Sequence, residues 1–105
     1  MRNVIQHLNK AFENKARLGI MAALTVNLKL SFNELKELLE LTDGNLASHL
    51  KALEKNGFIE VNKAFVGRKP NTTYKITGSG KNAFDLHLKA LEELIIQQKS
   101  KLPEK

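Results

Sequence analysis

The hydrophobic period of the chain changes at Gly57, and this change restricts the folds that the chain can adopt. Before Gly57, leucines recur at i, i+4 and i+7, as on the buried face of a helix: Leu46, Leu50 and Leu53. After it, residues 59 to 63 and 73 to 76 alternate between apolar and polar, as strands with one buried face do. Gly57 suits the left-handed position that ends a helix, and residues 67 to 71 supply a turn that Pro70 would stiffen. The pattern predicts a helix followed by an antiparallel hairpin.

The hairpin region is strongly basic. Residues 61 to 84 contain no acidic side chain and five cations: Lys63, Arg68, Lys69, Lys75 and Lys81. The whole chain has a formal net charge of +6 and a sequence pI near 9.7, which favours a polyanionic partner. Net charge alone leaves DNA, RNA and an anionic membrane open as that partner.

Length and composition favour one intracellular domain. With 105 residues, 42% of them apolar and 27% charged, the chain is expected to fold as a single globular domain over residues 1–105. The absence of cysteine excludes disulfides and thiolate metal sites. The first seven residues lack the apolar run of a signal peptide, and the longest apolar stretch, residues 20 to 24, is too short to cross a bilayer. We therefore expect a cytoplasmic protein without a membrane partner.

Periodicity and capping signals divide the rest of the chain into elements. A first helix of about three turns is predicted within residues 1–13, because four apolar residues fall on one face: Val4, Ile5, Leu8 and Phe12. A second helix is predicted over residues 15–26 and a short strand over residues 28–32. Ser31 and Glu34 form a capping-box signature for a helix that ends near residue 41. Thr42 and Thr77 are placed to cap the last two helices, the final one over residues 78–99.

Two segments resemble a known family. Residues 42 to 59, TDGNLASHLKALEKNGFI, resemble the recognition helix and exit of MarR/ArsR-type winged-helix regulators. Residues 74 to 80, YKITGSG, are similar to the Y-x-L-T-x-x-G exit from strand to helix in MarR-like proteins. The resemblance covers roughly residues 16 to 95. It implies an α+β, mostly α, fold with a winged helix-turn-helix core over residues 15–77, a basic hairpin wing, and terminal dimerisation helices over 1–13 and 78–99.

The polar face of the predicted recognition helix and the wing form the expected DNA-binding surface. Asn45, Ser48 and His49 lie opposite the leucine stripe and are predicted to read bases, since their side chains can bond base edges. A larger group is predicted to hold the DNA backbone or to belong to the wing: Thr42, Gly44, Lys51, Lys55, Lys63, Arg68, Lys69, Thr72 and Thr73. The alternative is a solvated helix face beside a hairpin whose cations serve solubility.

The histidines do not favour a metal site or an enzyme. Asp85 and His87 resemble the first half of a metal site on the last helix of some ArsR-type sensors, but the second half would fall at Gln98 and Lys101. One carboxylate and one imidazole are fewer than the three or four donors that zinc requires. The chain also has no nucleophile–base pair, paired-acid motif or phosphate-binding glycine loop at a usable spacing. We expect no metal, no cofactor and no catalysis.

The two ends of the chain favour a homodimer. A helix from residue 78 to residue 98 would be about 30 Å long, and the apolar stripe of its far half has little in this chain to cover it. The predicted interface consists of Val4, Ile5, Leu8, Phe12, His87, Leu88, Leu91, Leu94 and Ile95. Pairing across a two-fold axis would set two recognition helices one DNA turn apart. The alternative is a monomer whose last helix folds back on its own core.

Together, these patterns predict a homodimeric regulator that binds duplex DNA in a sequence-specific way and acts as a repressor. The competing class is a winged-helix module that contacts a protein or RNA without operator specificity. A small-molecule effector would extend the first interpretation, but no residue identifies one.

Overall fold

The structure, a computed structural model, describes residues 4 to 100. Four α-helices run over these residues: α1 Lys15–Val26, α2 Phe32–Leu39, α3 Asp43–Lys55 and α4 Gly78–Ser100. The strands are β1 Leu30–Ser31, β2 Ile59–Val66 and β3 Lys69–Ile76. Two short 3-10 helical turns, Val4–His7 and Lys10–Phe12, precede α1.

The helices begin where the sequence supplies a capping oxygen. Asn14 accepts from two backbone N–H groups at the start of α1, and Thr42 accepts from the third residue of α3. Ser31 and Glu34 form the predicted capping box on α2. Thr77 Oγ1 accepts from the N–H of Gly80 at 2.9 Å in the first turn of α4. These oxygens satisfy donors that a helix cannot pair internally, which confirms the predicted helix starts.

Residues in the left-handed conformation terminate α2 and α3. Gly57 has φ of 78°, as predicted for the residue that ends the recognition helix. Glu40 ends α2 with φ of 53°, a conformation that non-glycine residues seldom adopt. Only three residues, 40 to 42, separate α2 from α3, which gives the tight connection of a helix-turn-helix.

The three strands form one antiparallel sheet in the order β1-β3-β2. In the long hairpin, Ile59 pairs with Ile76 and Val66 pairs with Lys69. The turn therefore contains only Gly67 and Arg68, where the sequence predicted a turn from 67 to 71. Gly67 has φ of 67°, which a two-residue hairpin turn requires. Pro70 lies inside β3 opposite Phe65 and does not stiffen the turn.

One core lies between the helices and the sheet. Its largest fully buried side chains come from every helix and from the segment before α1: Phe12, Phe84, Ile20, Met21, Leu24, Leu35, Leu46 and Leu53. The predicted stripe of α3 is confirmed, since Leu46, Leu50 and Leu53 are all buried. Gly80 packs so closely on the Phe58 backbone that a Cβ atom would lie 2.0 Å from the Phe58 carbonyl oxygen. This contact fixes the start of α4 against the exit of α3.

Residues 4 to 13 differ from the helix of three turns that was predicted within residues 1–13. Asn9 interrupts them: its side chain accepts from the N–H of Ala11, and its own N–H donates to His87 Nδ1 at 2.9 Å. A side chain that bonds nearby backbone competes with helical hydrogen bonds. The segment is therefore two 3-10 turns pinned to α4, not a continuous dimerisation helix.

The remaining architecture matches the predicted α+β class, which is mostly helical with a winged helix fold. The last helix has 23 residues, and it packs on the first 3-10 turn. Its buried positions are Gly80, Phe84, His87 and Ala90. Beyond them the helix continues away from the core. The molecule is consequently elongated, with extents of 66 × 25 × 21 Å.

Candidate nucleic-acid interface

The outward face of α3 presents polar and basic side chains. Asn45 and Ser48 are exposed, and Lys51 and Lys55 are exposed as well. The core holds the opposite face through the leucine stripe, so these side chains project from a helix whose orientation is fixed. Thr42 Oγ1 accepts from the N–H of Asn45 at 3.2 Å, so the Thr42 hydroxyl is a helix cap.

The acidic residue at the start of α3 is neutralised by a neighbour. Asp43 Oδ1 lies 2.8 Å from Lys36 Nζ of α2. This ion pair ties the two helices of the helix-turn-helix together. It also reduces the repulsion that a free carboxylate would exert on a phosphate backbone at this end of α3. Gly44, beside it, is exposed and a Cβ atom there would meet nothing within 4 Å, so the start of α3 is open to an incoming ligand.

His49 is the one predicted base reader that has a side-chain partner. Arg17 Nε, in the first turn of α1, donates to His49 Nδ1 at 3.1 Å. Burial lowers the pKa of His49, and the Arg17 guanidinium lowers the pKa further. Both effects favour the neutral form of the imidazole. Sequence reasoning missed Arg17, because 32 residues separate it from His49 and no spacing rule links them.

The wing presents its cations beyond the body of the domain. Lys63, Arg68 and Lys69 are all exposed, with Arg68 in the turn itself. Lys75 lies nearer the core, where its Nζ is 3.4 Å from Glu60 Oε2. The three distal cations are without acidic neighbours in the described ion pairs, so they form the basic surface that a phosphate backbone would meet.

The predicted wing threonines are placed differently from the cations. Thr72 and Thr73 are half-buried, and Thr73 pairs with both Ser31 of β1 and Asn62 of β2. They lie where the hairpin joins the three-stranded part of the sheet. Contact between these hydroxyls and phosphate is therefore limited to the base of the wing.

The tip of the wing also carries apolar side chains that sequence reasoning did not single out. Phe65 is 73% exposed and Val66 is 66% exposed, next to the Gly67–Arg68 turn. Alternation predicted a strand over residues 59 to 63 only, which left Phe65 and Val66 in the hairpin tip. Their side chains are exposed because β2 extends past the part of the sheet that β1 covers.

The predicted dimer residues divide into two groups. Exposed or half-buried in the single chain are Ile5, Leu8, Leu88, Leu91, Leu94 and Ile95. The other three are buried within the chain: Val4, Phe12 and His87, with exposures of 4%, 1% and 3%. The interface prediction is corrected for these three residues. Phe12 packs on the rings of Phe58, Phe84 and His87, and His87 accepts the Asn9 N–H, so they have almost no surface left for a second chain.

Within residues 4 to 100, no group of three or more His, Cys, Asp or Glu side chains is placed to hold a metal ion. Gln98 lies on the exposed face of α4, and Lys101 lies outside the described residues. In the same part of the chain, no helix has the length and hydrophobicity that a membrane span needs.

Comparison with known proteins agrees with this geometry. A family model described as a winged helix DNA-binding domain matches residues 16–95. An uncharacterized protein of Methanocaldococcus jannaschii is 41% identical over 85 residues, which cover 81% of this chain and 92% of that protein. A transcriptional regulator homologue from Pyrococcus horikoshii is similar in structure, with a TM-score of 0.84 at 32% identity over 96% of this chain and 100% of that one.

A more distant structure shares the fold. YusO of Bacillus subtilis matches with a TM-score of 0.80 at 20% identity, over 96% of this chain and 71% of that chain. Both solved structures share the fold that the family model predicts for residues 16–95. The resemblance read from residues 42–59 and 74–80 is therefore confirmed.

Proposed function

This chain belongs to the winged-helix DNA-binding domain family, and we propose that it is a homodimeric regulator of transcription that binds duplex DNA in a sequence-specific way. The observation that carries the proposal is that α3 and the β2–β3 hairpin expose polar and basic side chains on the same domain. The polar face of α3 exposes Asn45, Ser48 and Lys51 while its leucine face is buried. The adjoining hairpin extends three exposed cations that take part in none of the ion pairs within residues 4 to 100.

In the proposed complex, α3 enters the major groove. Its exposed Asn45 can bond adenine through two hydrogen bonds, and Ser48 can donate or accept at a base edge. Lys51 and Lys55, on the outward side, are suited to the phosphates that border the groove. The major groove of B-form DNA is wide enough to admit an α-helix, whereas the major groove of A-form RNA is deep and narrow. This difference favours duplex DNA as the partner.

The wing supports the same duplex from its backbone. Lys63, Arg68 and Lys69 supply charge that replaces condensed counterions, a contribution that does not depend on base sequence. Arg68 occupies the turn at the end of the hairpin, so it is placed for the minor groove or its flanking phosphates.

A second copy of the chain would complete the site. Leu88 is 42% exposed and Ile95 is 55% exposed, with Leu91 half-buried between them at i+3 from Leu88. A continuous apolar strip of this kind normally marks an interface. Two-fold pairing along α4 would align two α3 helices with an inverted repeat. Repression by occlusion of RNA polymerase requires only DNA binding, and it is the mode that we propose.

The dimer is tested by light scattering at tens of micromolar. The wild type is expected to have twice the mass of one chain, and Ile95→Glu is expected to be monomeric, because an unpaired carboxylate in an apolar interface costs several kcal/mol. Gln98→Glu adds the same charge at an exposed polar position and is the matched control. Ile95 is already exposed in one chain, so its replacement leaves the fold intact. A monomeric wild type contradicts the proposal.

One observation favours a different function. The exposed Phe65 and Val66 at the wing tip are an apolar surface that a protein partner could cover. In that alternative, the domain is an interaction module and its cations contact an acidic protein or RNA.

Selection of bound duplexes from a random pool separates the two functions. We expect an enriched inverted repeat with half-sites about one helical turn apart. A single enriched half-site would retain duplex recognition and reject the two-fold arrangement. A pool that stays random, with binding that depends only on salt, would contradict sequence-specific DNA recognition and favour the interaction module.

A further inference from the structure

The contact between Arg17 and His49 has a consequence for which bases α3 can recognise. An arginine guanidinium only donates hydrogen bonds, so the nitrogen that it contacts on His49 must be an acceptor. That nitrogen is Nδ1, at 3.1 Å from Arg17 Nε. A neutral imidazole with an unprotonated Nδ1 carries its hydrogen on Nε2.

The Nε2 group of His49 retains access to solvent. The side chain is half-buried, and among the described residues its one hydrogen bond is to Arg17. Nε2 is not among the buried polar atoms without a partner in residues 4 to 100. The free end of the ring is therefore an accessible N–H donor. It lies one helical turn after Asn45, on the same flank of α3.

The placement of Arg17 is electrostatically unfavourable for α1 itself. Arg17 is the third residue of the helix, and Lys15 is the first, so two cations lie at the positive end of the helix dipole. The first turn of α1 contains no acidic residue to offset them. A contact made outside α1 gives a reason for a cation at this position, and the contact to His49 is that interaction.

We propose that Arg17 is a positioning residue that fixes His49 as a hydrogen-bond donor, so that α3 selects guanine where His49 meets the major groove. Guanine offers two adjacent acceptors there, N7 and O6. Adenine offers N7 beside an amino donor, thymine offers O4 beside a methyl group, and cytosine offers only an amino donor. A single N–H donor therefore has the most acceptor surface on guanine, one acceptor on adenine or thymine, and none on cytosine. The remaining N–H groups of Arg17 point to no described acceptor, so they are available for the adjacent phosphate. This inference rests on the proposed function and adds the base class that one residue reads.

The first arm of the test uses the free protein. In the 15N-labelled wild type at pH 7.5, long-range nitrogen–proton correlations are expected to show the His49 hydrogen on Nε2. Arg17→Met retains an apolar stem but removes the donor, and it should give a mixture of both tautomers. Lys15→Met removes one charge from the same helix turn without touching His49, and it should leave the tautomer unchanged. A wild-type hydrogen on Nδ1 overturns the inference without any use of DNA.

The second arm uses duplex selection and affinity measurements. His49→Ala and Arg17→Met should lose preference for guanine at the same single position, by about tenfold each. The double variant should lose little more than either single variant, because the two residues act as a unit. Lys15→Met should weaken binding to all sequences by the same factor, without a change in base preference.

The outcomes separate this inference from the proposed function. If no duplex is enriched by the wild type, the proposed function fails and this inference fails with it. If an operator is enriched and Arg17→Met retains the wild-type base preference, the proposed function stands and only the role of Arg17 is overturned. An enriched operator in which His49→Ala relaxes an adenine, thymine or cytosine position also overturns the role assigned here.

Discussion

The recognition helix and the wing both carry cations outward, yet the core holds them very differently. One face of α3 is buried along its whole length through Leu46, Leu50 and Leu53, and the ion pair of Asp43 with Lys36 adds a second attachment. In the hairpin, by contrast, every residue from 62 to 70 is exposed. The hairpin is held by its own ladder of hydrogen bonds and by its base.

This difference assigns the two elements different tasks. Base recognition requires side chains whose positions are fixed relative to the groove, which the anchored helix provides. Phosphate contact tolerates variation in position, since charge attraction changes slowly with distance. In the proposed complex, we therefore expect the wing to supply affinity that adapts to the DNA backbone and α3 to supply base discrimination. Each of the following predictions tests one side of this comparison.

The largest effect is expected in the anchoring of α3. Leu50→Ala should destabilise the fold by about 2–5 kcal/mol, because it leaves a cavity beneath the recognition helix. Val66→Ala removes an apolar side chain that is 66% exposed in the wing, so its effect should stay within about 0.5 kcal/mol. Urea unfolding monitored by circular dichroism measures both. Equal destabilisation by the two variants would show that the wing is packed in solution.

The next effect concerns discrimination by α3. Asn45→Ala should cost about 1–3 kcal/mol on the preferred duplex and little on random DNA. Asn62→Ala is the matched control, since it removes the same side chain from an exposed position in the wing strand β2. Fluorescence anisotropy with both duplexes gives the four affinities. If Asn62→Ala alters base preference as much as Asn45→Ala does, the division of tasks is wrong.

A smaller and sequence-independent effect is expected in the wing. Arg68→Ala combined with Lys69→Ala should weaken binding to all duplexes alike and make the slope of log affinity against log salt shallower by about 2. Lys89→Ala combined with Lys99→Ala removes the same charge from exposed positions on α4 and should leave the slope unchanged. Titrations at several salt concentrations decide between them. If the two double variants reduce the slope equally, the salt dependence arises from the net charge of the protein and not from the wing.

Much of the fold followed from local chemistry that a single sequence displays. The caps at Ser31, Thr42 and Thr77 and the left-handed Gly57 act within a few residues, so they could be located before the structure was known. The leucine stripe of α3 identified the buried face, and hence the exposed Asn45 and Ser48, because a helix has a fixed period.

The features that the sequence did not predict are those that depend on contacts between residues far apart in the chain. The donor to His49 comes from α1, and the acceptor that holds Asn9 comes from α4, 78 residues away. No local pattern encodes either contact. Alternation located the strands of the wing, but it could not show that Phe65 extends beyond the covering layer. Apolar spacing also placed Phe12 at a dimer surface, although three aromatic neighbours in the same chain surround it.

The smallest expected effect is a dependence on pH that acts on the helical body and not on the wing, whose strands contain no histidine. Burial lowers the pKa of His87, and the Glu13 carboxylate only partly opposes this; burial and Arg17 lower the pKa of His49. Because each folded pKa lies below the ordinary value of 6.5, the unfolded chain takes up protons first. The stability that the two neutral histidines contribute is therefore fully present above about pH 6.5, and it declines as the pH falls towards the lowered folded pKa.

His87→Gln should make the melting temperature less sensitive to acid between pH 7.5 and 5.5. Calorimetry across this range measures the melting temperatures. A His87→Gln profile that parallels the wild type would show that protonation of His87 does not destabilise the fold.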